Sequence, residues 1–212
     1  MPNILCFGDS NTHGANPSGG RWPRNVRWPG RLQEILGPDY YIIEAGLNGR
    51  TTVFDDPLEY YRNGLTALPY FLRTHTPLDM VILCLGTNDC KSFYSATSGV
   101  ITRGMERLCQ AVKASGNGPD GKSPKILIIS PIHISDGSGA PIPYLGMDED
   151  AVRKSRELAP LYKEVAERHD CLFFDAADVA KCSVIDQLHM DAENHGALAE
   201  GVAKVLRGYF ES

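Results

Sequence analysis

The chain has no surplus of positive charge. Its 21 Lys and Arg stand against 26 Asp and Glu, a formal net charge of -5. A general binder of phosphate backbones needs a basic surface. The balance argues against that class, though not against a local basic pocket. No stretch approaches the roughly 18 apolar residues of a membrane span. The opening Met1-Pro2-Asn3-Ile4-Leu5 lacks a cationic cluster, a long apolar run and a small-residue cleavage site. It reads as a first strand rather than a signal peptide. The six cysteines form no C-x-x-C pair. Cys6, Cys84 and Cys171 sit in apolar runs, where cysteine behaves as a small hydrophobe. Reduced thiols and a cytoplasmic protein are expected. Histidines and cysteines show no zinc-like spacing, so no metal is expected, and no cofactor either. No G-x-S-x-G elbow is present, which argues against the other large serine-esterase fold.

What is present is a regular alternation. Apolar runs at Ile4-Leu5-Cys6-Phe7, Tyr40-Tyr41-Ile42-Ile43, residues 80–85, Ile126-Leu127-Ile128-Ile129 and Cys171-Leu172-Phe173-Phe174 read as strands covered on both faces. Helical patterns lie between and after them, near 26–36, 64–74, 98–115, 149–168 and 191–209. Such alternation predicts a mainly parallel five-stranded sheet in a three-layer α/β/α sandwich. With 212 residues, one domain spanning 1–212 is expected. Gly/Pro-rich stretches at 14–23, 116–124 and 136–146 are too short for linkers and read as loops, the last as a lid or substrate-facing loop.

Ligands of such sheets bind beyond the carboxyl ends of the strands. The segments there are Gly8-Asp9-Ser10-Asn11, Gly46-Leu47-Asn48-Gly49-Arg50-Thr51-Thr52, Gly86-Thr87-Asn88-Asp89, Ser130-Pro131-Ile132-His133, and Asp175 with the later Asp186-Gln187-Leu188-His189. Acyl transfer by serine needs a hydroxyl, an imidazole, a carboxylate to hold the imidazole, and donors for an oxyanion. Ser10 follows directly on a strand. Asp186 and His189 are three apart, a spacing that brings a carboxylate to the near ring nitrogen and leaves the other for a serine. Asn88 supplies an amide; Gly49 and Ser10 supply backbone N–H groups.

These segments, in this order, resemble the SGNH (GDSL-type) hydrolase family. Phe7-Gly8-Asp9-Ser10-Asn11-Thr12 is similar to the first block, the glycine segment to the second with its key glycine at Gly49, Leu85-Gly86-Thr87-Asn88-Asp89 to the third, and Asp186-Gln187-Leu188-His189 to the last. The resemblance implies a flavodoxin-like fold, Ser10, Asp186 and His189 as the triad, and Ser10, Gly49 and Asn88 as the oxyanion hole. Val26-Arg27-Trp28-Pro29-Gly30, Asp55-Asp56-Pro57, Pro77-Leu78-Asp79 and Asp89-Cys90-Lys91 look like the arylesterase/acyltransferase subgroup. That subgroup implies short-chain, acetyl-type esters as small-molecule substrates, some acyl transfer to alcohols or peroxide, and homo-oligomers, octamers among them. The segment Asn11-Thr12-His13-Gly14-Ala15 departs from the subgroup, which carries tryptophans there. Nothing in the sequence supports nucleic-acid or membrane partners.

Blander roles compete at each position. Ser10 is also a favoured helix cap, and Asn88 a loop stabiliser. Asn11 and His13 are candidate substrate contacts beside Ser10, as is His133, against a structural role. Arg27 and Trp28 are expected near the site or at a subunit contact. His195 lacks a carboxylate three residues before it, and Asp191 more simply caps the last helix. Asp9 is expected to hold the nucleophile turn. Gly116-Asn117-Gly118-Pro119-Asp120-Gly121-Lys122-Ser123 fits the P-loop pattern, yet that motif needs a strand before it and a helix after it. Here the order is reversed, so a surface loop is expected. Two rivals remain: a nucleotide-binding protein built on that loop, and a non-catalytic binding module on the same fold.

Overall fold

The structure, a computed structural model, describes residues 1–135 and 146–211. Successive residues of a strand face opposite sides, and here both sides are apolar. Leu5 and Phe7 of β1 (Asn3–Gly8) enter one core, while Ile4 and Cys6 enter the other. The same alternation runs through β3 (Met80–Cys84) and β4 (Lys125–Ser130). With β2 (Tyr41–Gly46) and β5 (Leu172–Asp175) they make a parallel sheet in the order β2-β1-β3-β4-β5.

Helices α3 (Gly64–Thr74), α4 (Ser98–Lys113) and α5 (Glu149–Arg168) cover the first face; α2 (Trp28–Leu36) and α6 (Ala192–Phe210) cover the second. A four-residue helix, α1 (Ser10–His13), follows β1 directly. Caps fix where the longer helices start. The side chains of Asn63, Thr97, Asp148 and Asp191 each accept a backbone N–H of the first turn, worth about 1 kcal/mol apiece. The three-layer sandwich expected from the alternation is therefore present. Boundaries moved slightly: α2 begins at Trp28 rather than near 26, with Pro29 in its first turn and Arg27 still extended.

The chain steps from β1 outward to β2, then crosses back to place β3 on the other side of β1. Adjacent crossovers thus diverge between β1 and β3, where a crevice opens at the carboxyl edge. The P-loop-like segment lies elsewhere. It follows α4, contains a single 3-10 turn at Pro119–Gly121 and leads into β4. That is the reverse of strand, loop, helix. All six cysteines are free thiols. Among the described residues no helix is long and apolar enough to cross a membrane. The loop expected as a lid at 136–146 lies, apart from Gly146, outside the described residues.

Candidate active site

Two glycines let α1 settle on the ends of the strands. A Cβ on Gly8 would stand 2.1 Å from the Thr12 hydroxyl, and one on Gly46 would stand 2.0 Å from the His13 backbone nitrogen. Nothing larger fits. Asp9 caps α1 by accepting the Asn11 N–H at 3.0 Å. Burial pushes the Asp9 carboxyl up to about 6, against the lowering influence of that bond and of nearby His189 and Arg50. Ser10 therefore stands at the head of a rigid turn at the crevice.

The partners come from the other end of the chain. Asp186 Oδ1 accepts the N–H groups of Leu188 (3.1 Å) and His189 (2.9 Å). Its Oδ2 lies 2.6 Å from His189 Nδ1, and His189 Nε2 lies 2.9 Å from Ser10 Oγ. Gln187 between them takes a left-handed conformation, φ 58°. Bonds on both sides hold it there: Gln187 N–H to Ser183 O at 2.9 Å and Ser135 N–H to Gln187 O at 2.7 Å. Burial raises the Asp186 pKa, but the bonds from the His189 ring and from the backbone together hold it below the ordinary carboxylate value. The carboxylate stays charged against the ring.

Asn11 ties the two segments together. Its amide donates to Leu188 O at 3.2 Å, and its carbonyl accepts the Met190 N–H at 3.0 Å. One side chain thus clasps the backbone on both sides of His189.

The loop after β2 forms the next wall. Gly49 adopts φ 74°, a left-handed value that disfavours any side chain. Arg50 turns inward and is buried. Its Nη1 donates to Gly8 O at 2.9 Å and also to Ala45 O. Its guanidinium lies 4.1 Å from the Phe7 ring centroid, a cation–π stack. Burial lowers its pKa to about 10. The Arg50 carbonyl then accepts from Asn88 Nδ2 at 3.1 Å. Asp89 reaches back to the same loop, accepting the Thr52 N–H at 2.9 Å and the Thr52 hydroxyl. Its burial pushes that carboxyl up to about 6.

The structure thus brings Ser10, Gly49, Asn88 and His189 to one cleft of about 190 Å³. A larger hollow of about 410 Å³, around Arg31 and Glu200, holds no nucleophile–base pair. The structure places the three expected substrate contacts as follows. Asn11 is buried and spends its amide on the clasp. His13 is absent from the cleft walls, with its carbonyl accepting from Arg21 Nε at 2.7 Å. His133 lines a separate hollow with Arg156 and Lys181. Arg27 is spent on Glu44 and on Trp22 O, and Trp28 is in the core. His195 is buried against the Trp28 N–H at 3.3 Å. The structural part of Arg50 and the presence of Arg62 and Lys91 in the cleft went unread in the sequence. The only signal was their place in or near the quoted segments. Among the described residues no group of three or more His, Cys, Asp or Glu is placed to hold a metal ion.

Comparison with known proteins follows the same lines. The model of the GDSL-like lipase/acylhydrolase family matches residues 6–197. A solved carbohydrate acetylesterase family member from Sinorhizobium meliloti is 38% identical, with each chain covered in full and a TM-score of 0.90. The aryl esterase of M. smegmatis is 37% identical over 98% of this chain and 99% of its own, also with a TM-score of 0.90. An acetylxylan esterase from Xylanibacter ruminicola is 22% identical over 96% of this chain. The chain spans 43% of that relative's length. A match over most of the chain, with Ser10, Gly49, Asn88 and His189 gathered in one cleft, leads to a single assignment: the chain belongs to the GDSL-like lipase/acylhydrolase family, the SGNH hydrolases.

Proposed function

We propose that this chain is a carboxylic ester hydrolase that cleaves short-chain, acetyl-type esters through an acyl-enzyme on Ser10. The observation that carries the reading is the unbroken line from Asp186 through His189 to Ser10, at 2.6 and 2.9 Å. His189 Nε2 takes the Ser10 proton as the hydroxyl attacks the ester carbonyl. Asp186, charged, keeps the ring's other N–H pointed at itself and steadies the imidazolium that forms. The Ser10 and Gly49 N–H groups and the Asn88 amide are the proposed oxyanion donors. Asn88 has two amide N–H groups; one is given to Arg50 O, and the other serves the cleft. His189 then returns the proton to the departing alcohol. Water releases the acyl group by the same route in reverse, and an alcohol or peroxide in its place gives acyl transfer. The cycle balances without metal or cofactor.

The relatives support ester cleavage. Ala15, Met147 and Leu188 line the cleft and suit a small apolar acyl group. Six free thiols suit a reducing compartment, and the cytoplasm is the proposed location. The test is hydrolysis of p-nitrophenyl acetate and p-nitrophenyl octanoate by wild type and Ser10→Ala. Fast acetate cleavage with a burst of product, falling with chain length and lost in the variant, is expected. A Ser10→Ala protein that still turns over acetate at the wild-type rate would remove the acyl-enzyme.

A further inference from the structure

Of the six thiols, Cys171 alone is part-exposed; the other five are buried. It also has a sulfur partner. Cys109, near the end of α4, is fully buried in the core against which Cys171 packs. The Cys109 thiol donates a hydrogen bond to the Cys171 sulfur. The two are far apart in sequence, so the fold makes this contact. As a thiol, Cys171 in turn donates to His169 O at 3.4 Å. Burial pushes Cys6, Cys84 and Cys90 up and leaves them protonated.

The pair sits at the amino edge of the sheet, opposite the catalytic cleft, among cations. Cys171 stands just before β5 and directly after Asp170, which lines a hollow of about 180 Å³ with Lys113, Lys125 and Tyr209. Lys113 follows Cys109 by one turn on the same face of α4. Lys125 Nζ donates to Asp170 O at 2.9 Å and to its Oδ2 at 3.0 Å. The other nearby acid, Glu106, accepts from Arg168 Nη1 at 2.7 Å and lies 2.8 Å from His169 Nε2. The bond from Cys109 holds the Cys171 thiol below its ordinary value, with Lys113 and Lys125 acting in the same direction against burial. The same bond, with burial, pushes Cys109 up. An accessible sulfur that ionises readily, with a second thiol against it, is the arrangement that oxidants select.

We propose that Cys171 and Cys109 form an oxidisable thiol pair that a small hydroperoxide closes into a disulfide, with Cys171 as the attacking sulfur. The pair uses none of the residues of the esterase reading. The Cys171 thiolate attacks one peroxide oxygen and the O–O bond breaks. The other oxygen leaves as hydroxide, takes a proton and becomes water, while Cys171 becomes a sulfenic acid. The flanking lysines suit the negative charge that the departing oxygen gathers. The Cys109 sulfur then attacks the Cys171 sulfur. The S–S bond forms, the S–O bond breaks, and the hydroxide leaves as water with the Cys109 proton. Two thiols are oxidised, one peroxide is reduced, and two waters result. A metal ion is not the favoured occupant, because among the described residues no third ligand joins the two sulfurs.

The test treats the full chain, reduced and freed of reductant, with hydrogen peroxide. Intact mass, thiol titration in denaturant and non-reducing peptide mapping follow the reaction. Loss of two of the six thiols, a mass lower by two hydrogens and one peptide joining Cys109 to Cys171 are expected. Dithiothreitol is expected to reverse all three. Cys109→Ala removes the second sulfur and is expected to leave a sulfenic acid on Cys171, trapped by dimedone. Cys171→Ser is expected to keep its remaining thiols under the same treatment. A wild-type protein whose Cys171 runs on to sulfinic or sulfonic acid, with no joined peptide, would overturn the pair. So would a bridge between other cysteines, thiol loss in Cys171→Ser as fast as in wild type, or six intact thiols after peroxide that oxidises free cysteine alongside. Should Cys109→Ala not fold by circular dichroism, the wild-type peptide map decides alone.

Discussion

At 2.9 Å the Ser10 hydroxyl is already within proton-transfer reach of His189, so what remains is to stabilise the charge that forms on the carbonyl oxygen. Asn88→Ala is expected to lower kcat by about 10²–10³ with the fold, read by circular dichroism, unchanged, the usual loss for one oxyanion donor. Steady-state kinetics showing near-full turnover would remove Asn88 from that role. Ser10, Gly49 and Asn88 are legible because each stands shortly after a strand and matches a motif, and His189 because it closes the Asp-x-x-His segment. Asn11 follows Ser10 directly in α1, and successive residues of a helix turn by about 100°, which carries its side chain onto the backbone beside His189. His133 follows β4, one strand further from the β1–β3 switch point. Arg50 is illegible in the sequence because its part depends on what it lies against, the Phe7 ring and the Gly8 and Ala45 carbonyls.

The strands are legible in the sequence because strands covered on both faces are continuous apolar runs, and those runs are what the two cores use. Helix α1 escaped because four residues hold no periodicity; Asp9 and the missing side chains of Gly8 and Gly46 create it. The loops that carry Asp9 and Asp89 also store a pH response. Burial raises both carboxyls to about 6 in the fold from an ordinary 3.8. The folded state therefore binds the proton more tightly than the unfolded chain does. The associated stability is fully present below about pH 3.8 and is lost as pH rises through about 6. Carboxylates held low, such as Asp186, act in the opposite sense, so the informative quantity is a difference. Urea unfolding of wild type and Asp89→Asn between pH 4 and about 7 is expected to show wild type losing ground to the variant as pH rises. A pH-independent difference would mean Asp89 titrates normally.

The molecule as a whole leaves an unusual surface beside its cleft. Leu58, Tyr60, Tyr61 and Tyr70 are 81%, 86%, 87% and 72% exposed, and Tyr61 and Tyr70 line a hollow of about 390 Å³. Isolated apolar residues on a surface are ordinary, whereas an apolar cluster is what contact between two copies would bury. Together with the resemblance to an oligomeric subgroup, it gives an expected solution mass that is a multiple of 23.2 kDa by light scattering, shifted toward one chain in Tyr61→Asp. A wild-type monomer at micromolar concentration would sink this expectation. The Asn11 clasp acts on the same large scale, because it fastens the first turn of the chain to its last loop. In the proposed cycle an acylated Ser10 has given up its proton, and with it the bond that had kept the imidazole turned toward it. Halfway through turnover, nothing on the serine tells the histidine where to be. The clasp, like the Asp186 bonds, is indifferent to whether Ser10 is free or loaded, so the ring holds its station through the empty interval and meets the incoming water without a search.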